Sequence, residues 1–262
     1  MGDLKAAVIG LGVVGQAQVR LFGDMVHVTF DPKAGKRYPS RRVGQCDFAV
    51  VAVGTPQGRD GSADLSFLRA ALDRIPPEIP VMVRSTIPPG TMAGLEKARS
   101  LVVHVPEFLN EREDGAWRES SDVPFVILGG DPPARDFFAP ALHEVYGSKA
   151  HGIPVYEYSG AEAELIKYTA NCYLAAKVTF VNEMARVCAA FGAEWLHVRD
   201  GWLRDPRAGR SHTAVESAGF GGRCLPKDLS ALIKASEGAG YMPEFLWALE
   251  EANARFQAEA AS

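Results

Sequence analysis

The chain has 262 residues, a formal net charge of −4, 47% hydrophobic residues and 23% charged residues. That balance excludes a disordered chain and offers no basic footprint for nucleic acid. No apolar run is long enough to span a membrane, and the opening MGDLKAAVIG enters a strand pattern without a basic region and cleavage site. The four cysteines, Cys46, Cys172, Cys188 and Cys224, have no C-x-x-C spacing, which argues against a disulfide framework and a structural zinc. None of the six histidines stands in a metal-ligand pattern, so no metal is expected. The expectation is a soluble, cytoplasmic, globular protein.

The first half alternates short apolar runs with helical patterns. Strands are expected at Ala6–Ile9, Val26–Phe30, Phe48–Val53, Val81–Arg84, Leu101–Val105 and Phe125–Leu128. Helices are expected at Gln16–Phe22, Leu65–Ile75 and Ala134–Tyr146. Such alternation predicts a parallel sheet covered on both faces, a Rossmann-like α/β domain over 1–155. The pattern then changes. Gly160–Phe191 has no proline, and Leu165, Tyr168, Tyr173, Leu174, Val178, Val181, Met184, Val187 and Phe191 recur at helical spacing. A helix of about 30 residues spans roughly 45 Å, more than one small domain can cover, so a partner subunit or second domain is expected against it. Gly192 ends it, and Trp195–Leu203, Asp228–Gly238 and Pro243–Ala260 are also read as helical. Residues 156–262 therefore form an all-helical domain around a long central helix.

Gly10-Leu11-Gly12-Val13-Val14-Gly15 fits G-x-G-x-x-G, after a strand and before a helix. In that context the first glycine makes the turn and the second lets a pyrophosphate reach the helix N-terminus. The third lets the helix pack against the sheet. Asp31 ends the next strand, where a carboxylate accepts from a ribose 2′-hydroxyl and repels a 2′-phosphate. NAD is expected, against the local pull of Lys33, Lys36 and Arg37 toward NADP.

Gly219-Phe220-Gly221-Gly222-Arg223-Cys224-Leu225-Pro226-Lys227-Asp228 is the most informative segment. Its glycines allow backbone to lie against a ligand. Pro226 suits a first helical turn, so Cys224 is expected at a helix N-terminus, with Lys227 nearby to favour its thiolate. Asp228, one turn on, is expected to hold a water or hydroxyl proton. Cys172, Cys188 and Cys46 are read as small buried hydrophobes.

The motifs GLGVVG, VAVGTP, DGSADLSFL, STIPPGT, PEFLNE, AELIKYTAN and GFGGRCLPKD occur in this order. Together they resemble the UDP-glucose/GDP-mannose 6-dehydrogenase family of nucleotide-sugar dehydrogenases, over about residues 5 to 250. The resemblance implies oxidation of a sugar C6 alcohol to a carboxylate with two NAD and a covalent cysteine. It assigns Cys224 as nucleophile and Lys167 and Asn171 as the pair that steadies the oxyanion. Asp228 handles protons through water, and Glu107 serves thioester hydrolysis. Thr86, in Ser85-Thr86, lies near nicotinamide and substrate. Val53-Gly54-Thr55 runs along the dinucleotide with Ser85, and Glu111 is the second acid of the Glu107 loop, on the cofactor side. Phe108, Leu109, Phe220 and Gly221 meet the sugar or nucleotide-sugar substrate, and Arg207 reaches the substrate of a partner subunit in a homodimer.

Two departures stand out. About seventeen residues separate Asp31 from the strand at Phe48, so one strand or helix of the Rossmann unit is expected to be missing or trimmed. Family members also continue into a C-terminal nucleotide-binding domain, and no segment of this sequence replaces it. Two other functions stay open at this point. One is a single-step hydroxyacid dehydrogenase, which needs no thiol and so leaves Cys224 unexplained. The other is a cofactor-binding remnant that requires a partner chain.

Overall fold

The computed structural model describes residues 4–108, 123–147, 152–216 and 218–261. The chain divides into two compact units, one of Met1–Pro56 with Ala63–Lys167, the other of Gln57–Ser62 with Tyr168–Ser262.

The first unit is built on one sheet. Its strands are β1 (Ala6–Ile9), β2 (Val26–Phe30), β3 (Phe48–Val51), β4 (Val81–Val83), β5 (Val102–His104), β6 (Val126–Gly130) and β7 (Val155–Tyr158), in spatial order β2-β1-β3-β4-β5-β6-β7. The central strands are buried throughout and read AAVI, FAVV and VMV, as expected of strands covered on both faces. One side of the sheet carries Ile9, Val51, Val83 and Met92, the other Val8, Phe48, Met82 and Phe138. The helices of this unit are α1 (Val13–Phe22), α2 (Ser40–Val43), α3 (Ser66–Leu72), α4 (Thr91–Ala98) and α5 (Pro132–Gly147).

The sheet is not wholly parallel. β6 runs antiparallel to β5, with Gly130 opposite Val103 and Gly129 opposite His104. Gly130 has φ +155, and a Cβ there would lie 2.9 Å from the Val102 carbonyl oxygen, so glycine permits this close pairing. Strand β7 and helix α4 were absent from the expected elements. β7 is half exposed and lacks a clean apolar face, and α4 follows a Pro-Pro-Gly turn that reads as loop. Between β2 and β3 there is no further strand, so β2 stands at the edge of the sheet where a Rossmann unit of order 3-2-1-4-5-6 has one more, in line with the short spacing after Asp31. The crossover shrinks to a 3₁₀ turn at Pro32–Ala34 and the four-residue α2.

Helix α6 (Gly160–Ala190) is continuous, contributing its first two turns to the first unit and the rest to the second. Gly192, at φ +68, ends it in the left-handed conformation, and the Ala193 N–H donates to the Cys188 carbonyl at 2.8 Å. The second unit adds α7 (Trp195–Trp202), α8 (Leu225–Gly238) and α9 (Glu244–Ala260). Its main core joins Ala175 and Val178 of α6 to Phe220, Leu229, Ile233 and Leu249. Val181 and Cys188 pack with Trp195. Among the described residues no helix is long and apolar enough to cross a membrane.

Candidate active site

In the first unit, β1 delivers the chain into the glycine-rich turn. Gly10 has φ +91 and donates its N–H to the Phe30 carbonyl at 2.8 Å, and a Cβ on it would lie 2.6 Å from the Ala52 carbonyl oxygen. A Cβ on Gly15 would collide with the Gly10 carbonyl oxygen, so α1 packs against its own turn only with glycine there. Gly12 differs. It is the N-cap of α1, no side chain caps it, and a Cβ on it would meet nothing within 4 Å. Val13 beside it is exposed, and the first turn holds no acid. Amide N–H groups and the positive end of the helix dipole thus face open space, which fits a pyrophosphate.

Asp31 stands at the end of β2. Its Oδ2 accepts from the Leu11 N–H at 3.3 Å and its Oδ1 from the Lys33 N–H at 2.9 Å. Each carboxylate oxygen can accept two hydrogen bonds, so capacity for ribose hydroxyls remains. Two loops further along the sheet are tied together. Ser85 Oγ donates to the Val53 carbonyl at 2.7 Å, and Thr55 Oγ1 to the Thr86 carbonyl at 2.8 Å. Gly54 between them is exposed. The donor set, the open helix end and the acid fit NAD.

Glu107 follows β5 and is buried. It pairs with Arg84, accepts from Gln18 Nε2 at 3.1 Å, and takes the Phe108 N–H at 3.1 Å. Lys167 Nζ lies 4.8 Å from the centre of the Phe108 ring, so Glu107, Phe108 and Lys167 come together. His104 is fully buried nearby. Burial, with the charges of Arg84 and Lys167, holds its pKa down at about 3, so the ring is neutral. Leu109 and Glu111 lie outside the described residues.

Glu164, one turn before Lys167, is completely buried. Its carboxylate accepts the Gly90 N–H at 2.8 Å and the Met92 N–H at 2.6 Å, closing the N-terminus of α4. Burial nevertheless pushes its pKa up to about 7.

In the second unit, Cys224 is the N-cap of α8 and is exposed, with Pro226 in the first turn. The Asp228 N–H donates to the Cys224 carbonyl at 2.9 Å. The Asp228 side chain is 1% exposed and accepts from both Asn171 Nδ2 and Lys227 Nζ. Lys227, expected to favour the Cys224 thiolate, thus pairs with Asp228. Cys172 is buried, and burial followed by the Asp228 charge pushes its thiol up to about 12, so it is chemically quiet. Asn171 lies one turn after Lys167 on α6.

The glycines of the cysteine loop divide by task. Gly219 has φ +71, and a Cβ there would collide with Asn253 Oδ1. Gly221 and Gly222 have open space around them. The Phe220 side chain, expected at the substrate, lies in the core at 1% exposure. Its N–H and carbonyl are both held by Asn253, at 2.8 and 3.0 Å, so at this position the ring serves packing. Arg207 is exposed and forks onto Asp205.

Sequence reasoning passed over Gln18, Arg84, His104, Glu164 and Asn253. Arg84 carried a signal, being a charge directly after an apolar strand and before Ser85-Thr86. The others sit within helical or strand patterns and look unremarkable. Among the described residues no group of histidines, cysteines and acids could hold a metal.

Comparison with known proteins places these features. The family profile "UDP-glucose/GDP-mannose dehydrogenase family, NAD binding domain" matches residues 35–148, and the profile of the central domain of the same family matches residues 161–255. A UDP-glucose 6-dehydrogenase of Pseudomonas aeruginosa is 35% identical over 236 residues, covering 81% of this chain and 49% of the relative. One from Bacillus subtilis is 33% identical over 220 residues, covering 79% and 46%. The structure of a UDP-glucose dehydrogenase from the archaeon Pyrobaculum islandicum superposes with a TM-score of 0.81 at 28% identity, covering 98% of this chain and 68% of that one. The chain spans about half the length of the curated relatives it matches. NAD is the cofactor this likeness implies, in agreement with the open turn at Gly12. By its two profiles and its fold, the chain belongs to the UDP-glucose/GDP-mannose dehydrogenase family.

Proposed function

We propose that this chain catalyses the NAD-dependent oxidation of the C6 alcohol of a nucleotide-linked sugar to the carboxylate, in two steps through a covalent bond to Cys224. The observation that carries the reading is the exposed thiol of Cys224 at the N-terminus of α8, within GFGGRCLPKD. Its exposure leaves the sulfur open to a substrate carbon. A dehydrogenase that stopped at one hydride would have no use for that thiol.

In the proposed sequence, the C6 hydroxyl loses its proton and C6 a hydride, giving an aldehyde. The Cys224 thiolate adds to the aldehyde carbon to form a thiohemiacetal. Loss of a second hydride from C6 gives a thioester, and water then releases the acid and returns the thiolate. NAD, when bound, takes the hydride in each oxidation. Lys167 and Asn171 supply N–H donors for the oxygen that bears negative charge. Asp228, with Asn171 and Lys227 both on its carboxylate, first fixes those two side chains and then relays protons through water. Glu107 accepts a proton from the hydrolytic water. Thr86 sits near nicotinamide and substrate. Gly10 to Gly15, Asp31, Val53, Gly54, Thr55 and Ser85 hold the cofactor. Gly221 and Phe108 stand at the sugar, and residues 1–155 and 156–262 are the cofactor-binding and helical domains of this reading.

We also propose a homodimer built on α6. Leu165, Tyr173, Phe180 and Val187 of that helix are exposed apolar residues. Tyr173 and Phe180 border a cavity of about 610 Å³ with Trp202, Phe245 and Arg207. In this reading Arg207 reaches the partner's substrate. The four reduced cysteines and the use of NAD suit the cytoplasm.

The experiment is alkylation and replacement of Cys224. Iodoacetamide at mild pH labels Cys224 and spares Cys172, and Cys224→Ser abolishes acid formation while NAD still raises the melting temperature. Acid formation by Cys224→Ser at the parent rate removes the covalent step.

A further inference from the structure

The Glu107 carboxylate is fixed from three elements. Gln18 reaches it from the middle of α1, Arg84 from the residue after β4, and the Phe108 N–H from its own loop. Gln18 is 0% exposed, Arg84 2% and Glu107 7%. Tyr146 of α5 is an electrostatic neighbour of Arg84.

Stability alone does not account for this arrangement. Taking an ion pair and an amide out of water costs more than packing apolar residues of similar volume, so buried pairs of this kind contribute little net stability. The face of α1 that carries Gln18 also buries Gly15, Ala17 and Phe22. A leucine in place of Gln18 would fill the same space without desolvating an amide. What the network does provide is one orientation for one carboxylate. Gln18 and Arg84 both bond the same oxygen, Oε2, from different elements.

We propose that Gln18 and Arg84 are positioning residues for Glu107 in the hydrolysis that ends the reaction. This rests on the function proposed above. In that step the oxygen of water bonds to the acyl carbon, and the bond from that carbon to Cys224 Sγ breaks. The electron pair leaves with sulfur, and a proton of the water passes to Glu107. Gln18 and Arg84 touch none of the reacting atoms. They keep the accepting carboxylate turned one way.

The test is a double-mutant cycle on the intact chain, with NAD and UDP-glucose as probes. Gln18→Leu lowers the rate of acid release at least tenfold. It leaves NAD affinity within twofold of the parent and lowers KM together with kcat, while acyl-enzyme on Cys224 builds up by intact mass. In a Glu107→Gln background the same substitution changes the rate less than twofold. Arg84→Lys, which keeps a cation and folds more readily than an apolar replacement, retains part of the activity. An equal fall in both backgrounds, or a loss of NAD binding with the loss of rate, makes Gln18 a structural residue and overturns the proposal. A parent chain that forms neither acid nor acyl-enzyme overturns the proposed function itself, and this inference with it.

Discussion

Asn171 on α6 donates its side-chain N–H to the buried carboxylate of Asp228, on the helix that Cys224 opens. The bond ties the oxyanion donor proposed for catalysis to the first turn of α8. A carboxylate at 1% exposure needs its donors, and leaving one bond unmade costs about 1–3 kcal/mol. Asn171→Ala therefore lowers the unfolding free energy by that amount, read as a lower urea midpoint at unchanged slope, as well as activity. An unchanged midpoint would show that the pair does not exist in solution.

The glycine-rich turn separates folding from binding. Gly12→Val leaves stability unchanged, because open space surrounds that position, but it fills the pyrophosphate site and weakens NAD. Gly15→Ala drives a Cβ into the Gly10 carbonyl and costs about 1–3 kcal/mol of stability, as overpacking does. Thermal melts with and without NAD distinguish the two variants. Equal destabilisation by both would contradict this division.

Asp31→Ala weakens NAD by about 1–3 kcal/mol through loss of a charge-assisted bond to ribose. NADP loses less or gains. Calorimetric titration of both cofactors checks the ratio, and equal losses would remove Asp31 from the cofactor site.

Stability as a function of pH follows from two buried groups of opposite sign. Glu164 has its pKa raised from 4.5 to about 7, so the folded state holds a proton that the unfolded state releases. Its contribution favours folding below 4.5 and is lost as pH rises to about 7. His104 has its pKa lowered from 6.5 to about 3. Its contribution is present above 6.5 and is lost as pH falls toward 3. Between about 4.5 and 6.5 the two slopes oppose each other. Glu164→Gln removes one of them, so the variant loses stability more steeply than the parent from pH 6.5 to 5. Parallel curves of denaturation midpoint against pH would contradict the assignment.

Much of this molecule was legible in its sequence. Strands β1 and β2 were read to the residue, since AAVI and VHVTF are short β-rich runs bounded by glycine or charge. The long helix was equally plain, from a thirty-residue stretch without proline. The reversal of β6 was not legible, because strand direction depends on pairing at Gly129 and Gly130 and not on local pattern. In the candidate site, Cys224, Asp228 and Glu107 announced themselves through their motifs. Gln18 and Arg84 did not. Gln18 sits in an ordinary helix, and its contact to Glu107 spans 89 positions of chain. Phe220, read from its motif as a substrate residue, has its ring buried in the core and its backbone held by Asn253, a placement that no local pattern signals.

The central claim is a four-electron oxidation at a single carbon through Cys224. Counting NADH against carboxylate, with UDP-glucose as substrate and the product quantified by mass spectrometry, tests it most directly. The account predicts two NADH for each acid, with no free aldehyde. One NADH per product, with a ketone or aldehyde as the end point, would contradict it.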